Sequence, residues 1–191
     1  METGSILILN GTSSAGKSTL LKALQATLPE IYLDAGLDKF IFMLPRPYLN
    51  QPSLWAEVME PTRSGPVGLR LISGMHRAIA GLARSGNFVV ADHVLIDPRW
   101  LADAAATFAP LRAYLIGVHC PLEVVEQREK DRGDRTLGQA GAQFHLVHAH
   151  GCYDFSVNTA EASPEECARQ IEQFLAANPE PRAFRELRQR V

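Results

Sequence analysis

An excess of charge of either sign is missing from this sequence: 19 lysines and arginines stand against 21 aspartates and glutamates, leaving a net charge of −2. Such a chain has no overall positive field with which to hold a nucleic-acid backbone or an anionic membrane, so neither is expected as a partner. Long apolar runs are missing too. Crossing a bilayer takes about 20 consecutive apolar residues; the run from Gly4 to Leu9 is far shorter and lacks the basic flank of a signal peptide. The expected address is the cytoplasm. Cysteine is scarce: Cys120, Cys152 and Cys167 are an odd count at wide spacings with no CxxC pair. That excludes a disulfide framework and reads as reduced thiols. His145, His148 and His150 crowd together, but only the first two share a helical face and no carboxylate lies beside them, which argues against a metal site. What is present is apolar mass. With 46% of 191 residues hydrophobic and 21% charged, the chain can bury one packed core and reads as a single soluble globular domain.

Short apolar segments alternate with longer ones of helical period, the pattern of a parallel sheet wrapped by helices. Ser5 to Asn10 reads as a buried strand, and a helix follows from about Gly16 to Leu28, stopped before Pro29. Ile31 to Leu33, Asn87 to Asp92, Leu111 to His119 and Phe155 to Asn158 read as further strands. Helices are expected over Asp38 to Leu44, Leu69 to Arg84, Pro98 to Phe108, Pro121 to about Lys130, residues 139–149 and Pro164 to Asn178. The last is well signed: Ser163 caps it, Pro164 takes the first turn and Glu166 completes a capping box. Residues 45–68 hold five of the 12 prolines and read as an irregular insertion or a helix pair with long loops. The polar run Asp131 to Gly138 has too little apolar content for core and is a candidate mobile lid. From Pro179 onward, Arg182, Arg185, Arg188 and Arg190 stand among two acids. A solvated charged terminus is the expected reading there, with an amphipathic helix as the alternative.

Gly11-Thr12-Ser13-Ser14-Ala15-Gly16-Lys17-Ser18 has the pattern GxxxxGK[ST] directly after an apolar strand and at the opening of a helix, the context that this phosphate-binding loop requires. Phosphate oxygens must approach backbone N–H groups closely, so glycines remove the Cβ obstacle and the helix N-terminus adds partial positive charge. Lys17, expected to be exposed, would reach the β- and γ-phosphates, and the Ser18 hydroxyl would ligate Mg²⁺. Asp92 ends an apolar strand, where a carboxylate emerges at the carboxyl edge of the sheet; it reads as a metal ligand or, alternatively, a turn aspartate. Asp38 lies just after the second strand. It could accept the proton of a substrate hydroxyl or simply cap a helix, and spacing alone leaves the two open. Arg128, Arg132 and Arg135 alternate with Glu129, Asp131 and Asp134. They read either as cations on a closing loop or as a solvated helix end with weak ion pairs.

The stretches LNGTSSAGKST, AGLD, QREKDRGDR, VHAHGCYDFSVNT and SPEECA, with Asp92 at its strand end, together resemble the chloramphenicol phosphotransferase family of P-loop small-molecule kinases. The resemblance implies an α/β P-loop kinase fold, with a five-stranded parallel sheet in the order 2-3-1-4-5 flanked by helices and a mobile lid. That domain would span residues 1–178, with the lid at about 131–138, an acceptor-side insertion at about 45–68 and a tail at 179–191. It implies ATP and Mg²⁺ as cofactors and a small hydroxyl-bearing molecule, chloramphenicol or another antibiotic first, as acceptor. It assigns Asp38 as general base, Lys17, Arg132 and Arg135 as groups acting on the transferred phosphoryl, and Ser18 and Asp92 as metal groups. Nucleotide binding falls to Gly11, Ser13, Ser14, Ala15, Gly16, Lys17, Ser18 and Thr19, and adenine binding to Arg128 and the loop after Asn158. One departure is His93, where members of the family are expected to carry a second acid. A kinase of metabolites, nucleotides or nucleotide sugars is the alternative within the class, and a non-catalytic ATP-binding regulatory module the alternative outside it.

Overall fold

A computed structural model describes residues 2–59, 64–132 and 138–190. Five strands form one sheet in the order β2-β3-β1-β4-β5, and every neighbouring pair is parallel. β1 (Ile6–Asn10) lies in the middle and is buried throughout, as the unbroken run ILILN requires of a parallel strand covered on both faces. β2 (Tyr32–Asp34) forms one edge; β3 (Phe88–His93) and β4 (Ala113–His119) flank β1; β5 (Phe155–Asn158) forms the other edge. The strands fall within two residues of the boundaries expected from sequence.

Ten helices are described, and two faces of core hold them to the sheet. On one face Ile6 and Ile8 pack with α5 (Pro66–Arg84), α6 (Pro98–Phe108) and α10 (Ala183–Arg190). On the other, Leu7 and Leu9 pack with α1 (Lys17–Thr27), α7 (Leu122–Arg132) and α9 (Pro164–Ala177). All three cysteines are buried and free. None of the described helices is long and apolar enough to cross a membrane.

Three local expectations are revised. Residues 45–68 include the helix pair that is one of the two expected readings, α3 (Arg46–Asn50) and α4 (Pro52–Met59), but α5 starts at Pro66, earlier than Leu69, because proline is readily accommodated at a first helical turn. The Arg-bearing tail is no solvated terminus. It folds as α10, whose Ala183, Phe184 and Leu187 are buried, and Phe184 meets Phe108 edge-on at 5.2 Å between ring centroids. That i, i+1, i+4 apolar stripe outweighs the arginines, which remain on the outer face. At α9, Ser163 Oγ accepts from the Glu166 N–H at 3.1 Å, but the Glu166 carboxylate turns to Arg169, so half of the capping box forms. α2 (Leu37–Ile41) and α8 (Gln139–Val147) are the remaining helices.

Candidate active site

Parallel pairing sets the carboxyl ends of β1 and β3 side by side, with Leu9 opposite Asp92 and Asn10 opposite His93. The loop after β1 turns through Ser14 at φ 59° and Gly16 at φ 86°. Only glycine takes that left-handed region at no steric cost; Ser14 is the one non-glycine residue in it among those described. Ser13 Oγ and Ser14 Oγ are buried with no hydrogen-bond partner. Burying an unpaired polar group costs about 1–3 kcal/mol, so two unpaired hydroxyls in one loop fit a ligand rich in acceptor oxygens, such as a chain of phosphates. Ala15 is fully buried, and Thr19, exposed on the first turn of α1, lines the same cavity as the loop. Gly11 packs against β4, where a Cβ would stand 2.5 Å from the Val118 carbonyl oxygen.

Lys17 opens α1 and is 8% exposed, contrary to the expectation of an exposed lysine: its Nζ donates to the Thr12 carbonyl at 2.7 Å, across the loop. Ser18 Oγ donates to Asp92 Oδ2 at 2.8 Å, and Asp92 Oδ1 accepts from the Leu37 N–H at 3.2 Å. One carboxylate thus ties the phosphate-loop helix to α2. It fits there because residue 36 is glycine, where any Cβ would come within 2.2 Å of Asp92 Oδ1. A hydroxyl and a carboxylate already in contact are an oxygen donor set suited to a hard cation.

Asp38 is the second residue of α2, whose N-cap is Gly36 without any side-chain cap bond. The capping alternative therefore does not describe it. Its side chain lines a cavity of about 460 Å³ together with Lys17, Ser18 and Asp92 and with the apolar Leu37, Ile41, Phe42, Leu49, Trp55 and Met59. Asn50, Gln51, Gln139 and Gln143 add amides to the lining.

On the opposite side of the loop, Arg128 donates to Thr159 Oγ1 at 3.1 Å and to the Thr159 carbonyl at 2.9 Å. Thr159 Oγ1 in turn donates to the Ala15 carbonyl at 2.8 Å, so α7, the turn after β5 and the phosphate loop form one connected structure. Asn158 shapes that turn: its Oδ1 accepts from the Ala160 N–H at 3.0 Å and its Nδ2 donates to Glu161 at 2.8 Å. Arg132 is the last residue of α7. Arg135, and residues 133–137 of the expected lid, lie outside the described residues. Glu129 belongs to no solvated helix end. It is 2% exposed and accepts from the Gly138 and Ala140 N–H groups at 2.7 and 2.8 Å, which satisfies the N-terminal turn of α8.

Buried histidine networks bound the site. The Val94 N–H donates to His93 Nδ1 at 2.8 Å, which fixes the tautomer: His93 Nε2–H donates to His76 Nε2 at 3.0 Å, and His76 Nδ1–H to Asp103 at 2.6 Å. His93 therefore faces α5 and α6, opposite to Asp92, as strand alternation demands. On the other flank, Asn10 Nδ2 donates to the Val147 carbonyl and to Tyr153 Oη, both at 2.8 Å, and Tyr153 Oη is hydrogen-bonded with His148 Nδ1 at 2.6 Å. Burial holds these rings neutral: it lowers His76, pushes His93 well below 6.5 with His76 adding to the effect, and lowers His148 and His150 to about 4. An unfolded chain takes up those protons near 6.5, so the stability they contribute is complete above that pH and is lost as pH falls from 6.5 towards 4. Denaturant midpoints measured across this range are expected to fall, each histidine adding a slope of up to about 1.4 kcal/mol per pH unit. Asp103, held at about 2 chiefly by its bond to His76, adds its own loss only below the ordinary 3.8. Stability unchanged between pH 7 and 5 would contradict this.

Sequence reasoning singled out neither Asn10, Thr12, Thr159 nor Gln143. Only Asn10 left a signal, a polar residue closing an apolar strand directly before the loop glycine.

Residues 4–176 match the family described as chloramphenicol phosphotransferase-like protein. A protein of Mycobacterium tuberculosis with the provisional name O-phosphotransferase, found in strains H37Rv and CDC 1551, is 33% identical over 203 aligned positions, spanning 100% of this chain and 90% of its own. Among solved structures, the APS kinase of Mycobacterium tuberculosis in complex with AMPPNP and APS superposes with a TM-score of 0.67 at 17% identity, over 92% of this chain and 99% of that one. The shikimate kinase of Acinetobacter baumannii in complex with shikimate gives 0.61 at 16% identity, over 93% and 96%. Both likenesses establish the P-loop kinase fold.

Proposed function

The chain belongs to the chloramphenicol phosphotransferase-like family, and from that premise we propose that it transfers the γ-phosphoryl group of ATP to a hydroxyl of a small uncharged molecule, an antibiotic such as chloramphenicol being the foremost acceptor. The observation that carries this reading is the shared cavity. Its lining joins the phosphate loop, Asp38 and Asp92 to a set of apolar and aromatic side chains. Among the described residues lining it, the charged side chains are Lys17, Asp38 and Asp92, with His93 held neutral. Anionic acceptors need fixed cations. Arg46 and Arg70 do not line the cavity, and Arg63 lies outside the described residues.

In this mechanism the acceptor ring rests on Trp55 and the aliphatic side chains beside it, which turns one hydroxyl towards Asp38. Asp38 accepts the hydroxyl proton as the oxygen forms its bond to the γ-phosphorus and the bond to the β,γ-bridging oxygen breaks, releasing ADP. Lys17 and the loop N–H groups neutralise the phosphate oxygens, and Arg132 and Arg135 supply cations to the loose transition state. Ser18 and Asp92 would hold Mg²⁺, which when bound screens the phosphate charge. Arg128 and the turn at Asn158 and Thr159 border the adenine.

Incubation with ATP, Mg²⁺ and each of a panel of hydroxyl compounds, read by mass spectrometry, tests the reading. Chloramphenicol or another neutral hydroxyl-bearing antibiotic is expected to gain one phosphate, and shikimate, gluconate and nucleoside monophosphates none. Phosphorylation of an anionic metabolite or a nucleotide sugar, with chloramphenicol untouched, would leave a kinase with a different acceptor. Binding of ATP without transfer to any hydroxyl compound would favour a regulatory module.

A further inference from the structure

Gln143 stands on α8 against the phosphate loop and is 2% exposed. Its Oε1 accepts from the Ser13 N–H at 2.9 Å and lies 3.5 Å from Thr12 Oγ1, whose single proton goes to the Ala140 carbonyl at 3.0 Å. A backbone N–H can be satisfied only by an acceptor, so the amide oxygen must be the atom turned towards Ser13. The Nε2 end is left directed away from the loop backbone. No hydrogen bond among the described residues uses it, it is not among the buried atoms left without a partner, and Gln143 lines the cavity that also holds Lys17 and Asp38.

The N–H groups of such a loop face the space that phosphates fill. A side chain anchored on one of them therefore stands at the rim of that space, with its Nε2–H donor left over for a group bound there. α8 is held in this position from its other side, because Glu129 accepts from the Gly138 and Ala140 N–H groups. We infer that Gln143, through its Nε2–H donor, binds the terminal phosphoryl group of the nucleotide and so makes the site prefer a triphosphate to a diphosphate. The inference rests on the proposed nucleotide-binding role of the loop and adds a residue to it. A neutral amide suits this place: it gains a charge-assisted hydrogen bond when a triphosphate binds, loses it once the phosphoryl group has moved to the acceptor, and thereby eases release of the diphosphate. No proton changes hands at the amide.

Titration calorimetry with Mg-ADP and with Mg-AMPPNP tests this on the wild type, Gln143→Met and Gln143→Glu. Gln143→Met is expected to weaken AMPPNP binding roughly ten- to a hundredfold, the usual range for a hydrogen bond to a charged group, and ADP binding by less than about threefold. Gln143→Glu keeps an oxygen for the Ser13 N–H but faces the phosphoryl group with negative charge, so it is expected to lose AMPPNP affinity at least as strongly while ADP is again spared. It carries the test alone should Gln143→Met fail to fold. A residue that only braces the loop would move both nucleotides together. Equal losses for ADP and AMPPNP, or no loss for either, overturn the inference while leaving nucleotide binding intact, whereas a wild type that binds neither nucleotide overturns the reading of the loop itself.

Discussion

Replacing Lys17 by alanine is expected to bring phosphoryl transfer below detection and to weaken ATP binding at least a hundredfold. The lysine is the one cation among the described residues that line the cavity, and it opens the helix whose N-terminus would face the phosphates in the proposed mechanism. A phosphate-binding lysine contributes in the ground state by neutralising charge and more in the transition state, where that charge shifts towards the bridging oxygen. Folding should be affected far less, though not negligibly. Lys17 Nζ donates to the Thr12 carbonyl at 2.7 Å from a position only 8% exposed, so alanine strips a buried carbonyl of a donor. Removing a largely buried charge at the same time relieves a desolvation cost of opposite sign. A fall in melting temperature of only a few degrees is the expected balance, since about 1 kcal/mol corresponds to roughly 2–4 °C in a domain of this size. Turnover followed by ADP release, with calorimetry for ATP and thermal unfolding of the free protein, measures all three. Wild-type turnover in Lys17→Ala would remove the phosphate loop from the mechanism.

What the sequence made legible was whatever is carried by contiguous residues. The run from β1 through Gly11 to Ser18 states strand, turn and helix within about a dozen positions, and each local preference agrees with the next. The sheet order then followed from the resemblance, and it sets Asp92 beside the loop, where the Ser18 hydroxyl meets it. What stayed hidden depends on contacts between distant segments. Gln143 and Ser13 lie 130 positions apart, and a single glutamine in a helix carries no spacing signal. Glu129 looked like one acid in a charged run, because its burial depends on the backbone of a helix that begins ten residues later. The arginines of the tail masked Phe184 and Leu187 in the same way: a count of charges does not register that two apolar residues on one face suffice to dock a short helix. His93 is instructive in the other direction. It stands where the family resemblance leads one to expect a second acid, yet its ring is engaged by His76 and leaves the Ser18 and Asp92 pair untouched.

Asp38→Asn separates the chemical step from everything that holds the site together. The substitution keeps the shape of the side chain and removes its ability to accept a proton, so kcat on whichever acceptor the wild type phosphorylates is expected to fall by about 10² to 10⁴, the usual contribution of general base catalysis. ATP affinity should stay within a few-fold, because the proposed mechanism assigns the phosphates to the loop, Lys17 and the Ser18 and Asp92 pair rather than to α2. The helix-end share of the Asp38 contribution to stability is about 1 kcal/mol at most. Asp38 is in the first turn of α2, where a carboxylate favours the positive helix end by about 0.3–1 kcal/mol, but the N-cap is Gly36 and no cap bond is lost. If the variant turned over within a few-fold of wild type while melting several degrees lower, Asp38 would belong to the framework of α2, and the proton of the acceptor hydroxyl would have to leave by another route.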